Sequence, residues 1–248
     1  MSLWEPAAVQ AVRTDREGQI ATITLANADR NLLDPAVMAD LHDAISRADD
    51  DPDIRAVVLT GTADVFCGGL DVAQMQNDGN PVEFATALVT LLKLIPEVGT
   101  ATVAAVNGDA LASGFSIVCA CDLVVATPQA RLGTFEASVG IWPMIAQVPP
   151  LQRLLPRHAL QNIITGVPFT ADEALRFGAI NRIVDASELG REARELAVAA
   201  SGAGAALAAG RRSFYRYCDL SYQDALDDAL LSFTAMFESA DSHQPHDR

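Results

Sequence analysis

Lysine is almost missing from this chain: Lys93 stands alone against sixteen arginines in 248 residues. No Gly-Lys-Ser or Gly-Lys-Thr occurs, which excludes a Walker-type phosphate loop. Positive charge as a whole is scarce, 17 Lys and Arg against 32 Asp and Glu, for a net charge of −15. That balance excludes nucleic acid, whose binding needs a basic surface, and an anionic membrane surface. Four cysteines (Cys67, Cys119, Cys121, Cys218) form no CxxC pair, so no zinc or redox motif exists. Three of them lie in apolar runs and read as reduced core thiols. Neither His42 nor His158 has a spaced nucleophile that would complete a triad, and His243 and His246 belong to a polar tail. An unbroken membrane-length apolar run is lacking too. Residues 101–127 come nearest, but Asn107, Asp109 and Asp122 interrupt them, and one central Asp costs roughly 2.5–3.5 kcal/mol on insertion scales. The first 18 residues show no basic segment leading into an apolar block. A soluble cytoplasmic protein without a metal is expected.

Half the residues are apolar and 20% are charged, enough for one large core or two smaller ones. The most informative stretch is 101–122, ATVAAVNGDALASGFSIVCACD. It opens as a buried strand, turns at Asn107-Gly108, and passes through Ala110, Ala112, Ser113 and Gly114 into an uncharged helix. A buried helix start leaves N–H groups without partners at the positive end of the dipole. Small residues there let a ligand oxygen approach, as holding a developing oxyanion requires. A tight core crossing would use the same residues. A similar element lies upstream, however: IRAVVLTGTADVFCGGLD at 54–71 also runs from a buried strand into a Gly-rich loop. Two such loops can each give one N–H to a single oxygen.

In chain order, a β-hairpin is expected from 9–14 and 19–25, turning at Asp15-Arg16-Glu17-Gly18. A polar loop at 27–31 precedes a helix capped by Asp34 and opened by Pro35, with Val37, Leu41 and Ile45 inward. A strand at 54–60, an irregular segment at 72–81 and a helix at 81–98 follow. Beyond the central stretch come a strand at 123–126, an extended piece at 131–133, and a loop or short helix carrying Glu136. The remainder reads as helices at 145–155, 157–165, 171–177, 187–200, 203–217 and 221–239, with one strand at 180–184. No internal repeat is evident. An α/β core with a helical C-terminal region is the fold class.

Several segments in this order resemble the crotonase (enoyl-CoA hydratase/isomerase) superfamily over nearly the whole chain. Arg30-Asn31-Leu32-Leu33 is similar to its Asn-Ala-Leu segment along the CoA loop, and FCGGLD at 66–71 to Phe-(Ser/Cys)-Ala-Gly-x-Asp. AVNGDALASG at 105–114 resembles Ala-Val-x-Gly-x-Ala-x-Gly-Gly-Gly. Cys121-Asp122, ARLGTFEASVGIWP at 130–143 and FTADEALRFGAINRIV at 169–184 match the later blocks.

The resemblance implies a spiral of ββα units at 1–190 holding an acyl-CoA site, and a helical trimerisation region with a polar tail at 191–248. It also implies a homotrimer or a hexamer built as a dimer of trimers. Coenzyme A would arrive as part of the substrate, with no separate cofactor. The oxyanion donors would be the amides of Leu70 and Ser113, the latter replacing a usual glycine. Arg30, Asn31, Leu32, Cys67, Gly68, Gly69, Asp71 and Gly114 would line the bound acyl-CoA. Arg30 is the first candidate cation for its phosphates, because the tail SADSHQPHDR lacks the family's usual closing segment.

For Asp71 and Asp122, structural hydrogen bonding is the stronger reading, and Asp109 reads as solvated. The family's hydratases carry two glutamates. The positions here are Ser116 and Glu136, and Met144 stands where dienoyl-CoA isomerases have an acid. Water addition needs two groups, whereas a double-bond shift can run on one carboxylate. Burial among Phe135, Val139, Ile141 and Trp142 would raise the pKa of Glu136. Three readings stay open: a single-glutamate enoyl-CoA isomerase, a hydratase of fatty-acid metabolism in which Ser116 positions a water, and an acyl-CoA-binding protein without turnover.

Overall fold

The computed structural model describes residues 10–78, 80–204 and 206–241. It opens on an antiparallel hairpin, β1 (Val12–Glu17) and β2 (Ile20–Leu25), which turns at Gly18-Gln19. Asp15, Arg16 and Glu17, expected in the turn, lie in β1 instead. β1 is the outer strand of its sheet, and polar or charged side chains are compatible with an edge that nothing else among the described residues pairs. Val9, the expected strand start, and His243 and His246 of the tail lie outside the described residues.

One helical turn, α1 (Ala28–Asn31), stands where a polar loop was expected. Asp34 then caps α2 (Pro35–Asp50), its carboxylate accepting from the Val37 amide at 2.8 Å. Val37, Leu41 and Ile45 face inward as their spacing requires.

From there the chain repeats one pattern. A long strand is followed by a short one and then by helix: β3 (Ala56–Gly61), β4 (Val65–Cys67), α3 (Val72–Asp78) and α4 (Pro81–Glu97). The next turn of the spiral is β5 (Ala101–Val106), β6 (Asp109–Leu111) and α5 (Ser113–Ala120). The third is β7 (Leu123–Ala126), β8 (Arg131–Gly133), a 3-10 turn (Glu136–Val139), α6 (Val148–Leu151) and α7 (Pro156–Thr165). Long strands join a six-stranded sheet ordered β1-β2-β3-β5-β7-β10, parallel from β2 onward. Short strands form a second sheet, β4-β6-β8-β9. Its last strand, β9 (Phe169–Thr170), is followed by α8 (Ala171–Phe177), β10 (Arg182–Ile183), α9 (Leu189–Ala200), α10 (Ala206–Asp219) and α11 (Tyr222–Asp241). This is the α/β spiral of ββα units with C-terminal helices.

Two further segments differ from expectation. Residues 72–78 form α3, started by the Asp71 carboxylate, which accepts from the Gln74 amide at 2.8 Å. A cap rather than an apolar stripe starts this turn, so periodicity did not reveal it. The helix expected at 145–155 shrinks to Val148–Leu151: Pro149 and Pro150 cannot donate to the carbonyls one turn before them, and Leu155 is extended ahead of Pro156.

The large sheet buries both faces. Helices α2, α4 and α5 cover one, with Phe84, Leu88, Leu91, Phe115 and Ile117 nearly fully buried. On the other, Leu189, Ala193, Leu196 and Ala197 of α9 pack on Ala56, Val58, Val103 and Val125.

Candidate active site

The first loop is built around Asn31, which is buried at a φ of 53°. Its side-chain amide donates to the carbonyls of Val65 (2.9 Å) and Phe66 (3.2 Å) and accepts from the Thr62 hydroxyl (3.2 Å). Those bonds seat 30–33 against β4. The Gly68 amide donates to Arg30 O, Leu33 N to Gly69 O, and Asp71 N to Leu33 O, each at 2.9 Å. Leu33 thus bridges through both neighbours of Leu70, and the Leu70 peptide faces the opposite way.

The second loop comes from that side. Ala112 donates its amide to Gly133 O at 2.9 Å and takes φ 50°, ψ −119° before α5 begins at Ser113. Every residue of α5 is buried. Gly69, at φ +105°, lies against this turn: a Cβ there would sit 2.9 Å from the Ala112 methyl and 3.8 Å from Ser113 N. Gly114 backs onto the first loop so closely that a Cβ would lie 2.3 Å from Cys67 O. The two loops therefore meet backbone to backbone. Neither the Leu70 nor the Ser113 amide donates to another group among the described residues. Two adjacent donors, one at the positive end of a buried helix, can hold one anionic oxygen.

Glu136 follows Gly133 by three residues, so its segment leaves from beside the second amide. Burial pushes its carboxyl above the ordinary carboxylate range, partly offset by hydrogen bonds from its own amide and that of Phe135, the latter 2.9 Å. Ser116 is already engaged. Fully buried, it donates its hydroxyl to Ala146 O at 2.9 Å. Cys67 is no nucleophile, since burial pushes its thiol up to about 12.

The structure thus brings Cys67, Gly68, Gly69 and Leu70 together with Ser113 and Gly114, and sets Arg30, Asn31 and Leu32 behind Gly68. Asp71 caps α3. Asp109, read as solvated, is partly exposed, faces Arg30 at 3.7 Å and accepts from the Arg131 amide. Asp122 accepts from Thr102 N, Arg211 and the Tyr215 hydroxyl, a structural role.

Sequence reasoning named Ala112 only as one small residue of the turn and did not name Arg153. A signal existed for Ala112, which stands where the resembling pattern has glycine. None existed for Arg153, whose guanidinium closes the far end of α5 by donating to Cys119 O (2.8 Å) and Cys121 O (3.1 Å). Among the described residues no group of His, Cys, Asp and Glu is placed to hold a metal, and no helix is long and apolar enough to cross a membrane.

Residues 15–246 match the family model described as enoyl-CoA hydratase/isomerase. The probable enoyl-CoA hydratase echA8 of Mycobacterium bovis is 30% identical over 233 residues, covering 93% of this chain and 90% of its own. The carnitinyl-CoA dehydratase of Salmonella heidelberg is 33% identical over 191 residues, 76% of this chain and 73% of the other. Among solved structures, an enoyl-CoA hydratase of Mycobacterium smegmatis superposes with a TM-score of 0.85 at 27% identity, covering 96% and 93% of the two chains. A human enoyl-CoA hydratase domain-containing protein reaches 0.86 at 23% identity over 91% of each, a likeness of fold alone. The chain belongs to the enoyl-CoA hydratase/isomerase family.

Proposed function

We propose that this enzyme binds an acyl-CoA thioester with its carbonyl oxygen between the amides of Leu70 and Ser113, and shifts a double bond using Glu136 alone. The observation that carries this reading is the meeting of the two loops at Gly69 and Ala112, with both amides left without acceptors. The Glu136 carboxylate takes a proton from Cα of a 3-enoyl thioester. The freed electron pair moves onto the carbonyl oxygen, where each amide donor is worth about 2.7–4 kcal/mol by analogy with other oxyanion sites. The protonated Glu136 then delivers its proton to Cγ, the carbonyl re-forms, and the double bond lies between Cα and Cβ. Arg30, Leu32 and the 67–71 loop hold the CoA portion, and no group beyond the substrate's own coenzyme A takes part.

Isomerisation is favoured over hydration because Ser116 spends its hydroxyl on Ala146 O and brings no second acid to the water. Hydration remains the second reading, since relatives carry hydratase and dehydratase names. The proposed working state is a trimer or hexamer, supported by the exposed Tyr222, Leu226, Leu230 and Leu231 of α11, and its proposed place is the cytoplasm.

A panel of 2-enoyl-, 3-enoyl- and saturated acyl-CoAs, scored for turnover and binding together, tests the proposal. Conversion of 3-enoyl to 2-enoyl thioester with slow hydration is expected. Rapid hydration without isomerisation would assign the second reading, and binding without turnover a third, non-catalytic one. Ser113→Pro removes one donor and should abolish turnover; full activity in a folded variant would sink the amide assignment.

A further inference from the structure

A cavity of about 920 Å³ lies at the carbonyl end of α5, the end away from Ser113. Leu92 and Pro96 of α4, Ile145 and Val148 around α6, and Cys119 and Ala120 of α5 form its apolar walls. Its charge is unlike the rest of the molecule. Lys93, Arg153, Arg212 and Arg216 line it, against Glu97 and Asp219. Four of 17 cations, the only lysine included, are thus gathered in one place on a chain of net charge −15.

Two of these cations are already engaged. Arg153 donates to Cys119 O, Cys121 O and the Tyr215 hydroxyl, and Arg216 pairs with Asp228 at 2.5 Å. Lys93 and Arg212 make no hydrogen bond or ion pair among the described residues. Both are exposed at the mouth of the cavity, where only water meets their charge.

The cavity and the amide pair belong to one side of the same helix. Ser113, Ser116 and Ala120 recur at three- and four-residue spacing and share a face. The eight residues of α5 span about 12 Å. Met144 and Ile145, in the loop that follows Glu136, reach the cavity, and the Ser116–Ala146 bond fixes that loop between the two places.

We propose that the cavity receives the far end of an acyl chain that terminates in a carboxylate, so that the substrate class is a carboxyacyl-CoA. This rests on the placement of the thioester carbonyl at Leu70 and Ser113. A plain chain meets the apolar walls but leaves Lys93 and Arg212 without a counter-charge. A terminal carboxylate gives both a charge-assisted hydrogen bond.

The test is calorimetric titration of the full chain with matched pairs of saturated thioesters, plain and ω-carboxylated, across a series of chain lengths. At the length that reaches the cations, the carboxylated member should bind at least about tenfold more tightly, the scale of a charge-assisted contact. In Lys93→Gln/Arg212→Gln that preference should vanish, while affinity for the plain thioester stays within about twofold. Equal binding of both members at every length overturns the proposal and leaves the amide assignment standing. So does a preference that survives the double substitution. Failure of every thioester to bind overturns the amide assignment, and this proposal with it.

Discussion

At the scale of single residues, Glu136 and Ala112 carry the sharpest expectations. Glu136→Gln keeps shape and removes the base, so isomerisation should be lost while acyl-CoA affinity stays within about twofold. Paired kinetic and calorimetric titrations check this, and full activity in the variant contradicts the mechanism. Burial raises the Glu136 carboxyl above its ordinary 4.5, and the base must be ionised to act. The acid limb of kcat/KM should therefore fall above pH 4.5, and a limb at or below that value would show the wrong group. Stability moves the opposite way. A carboxyl raised on folding favours the protonated form, so its contribution is complete below the unfolded pKa and is lost as pH rises through the folded one. The stability gap between wild type and Glu136→Gln should accordingly shift in favour of glutamine on going from acid to neutral pH. Ala112 sits at φ 50°, ψ −119°, a region costing an ordinary residue of order 1–3 kcal/mol. Ala112→Gly should raise the urea midpoint by an amount worth about 1 kcal/mol, after the extra chain entropy of glycine is subtracted.

Elements differ in how plainly the sequence announces them. The cap and proline of α2, the apolar run of β5 and the small residues opening α5 were all legible, because each depends on local chemistry. So were both loops of the site, whose Gly-rich composition after a buried strand is itself the signal. The three-residue strands β4 and β6 were not, since three residues show no alternation, and of the second sheet only β8 was expected, as an extended piece at 131–133. The inward turn of Ser116 was equally hidden, because its acceptor lies thirty residues away.

The same holds for the join between α10 and α5. Arg211, nearly fully buried, pairs with Asp122 at 2.8 and 2.9 Å and donates to Ile95 O at 3.1 Å and to Val98 O. Breaking a buried pair from one side costs about 3–5 kcal/mol. Arg211→Met should lower stability by that amount in urea titration, whereas Arg211→Met with Asp122→Leu should recover part of it. A loss below about 1 kcal/mol would mean the pair is solvated in the working molecule.

For the molecule as a whole, exposed apolar side chains on the surface predict association. Sedimentation at micromolar concentration should give a trimer or hexamer, and Leu230→Glu with Leu231→Glu should shift the population to smaller species if α11 forms the contact. A clean wild-type monomer would contradict both. The buried pair has a further consequence, in time. Asp122 is followed 89 residues later by the arginine that neutralises it. At synthesis rates of about 5–20 residues per second, that interval is roughly 4–18 s. Throughout it, a nascent chain that has completed both amide loops holds Asp122 without the Arg211 guanidinium, and only Arg153 is there to close the end of α5. The two amide loops are thus translated long before the arginine that anchors the end of their helix, and a ribosome stalled between residues 122 and 211 holds a chain whose Asp122 lacks that partner.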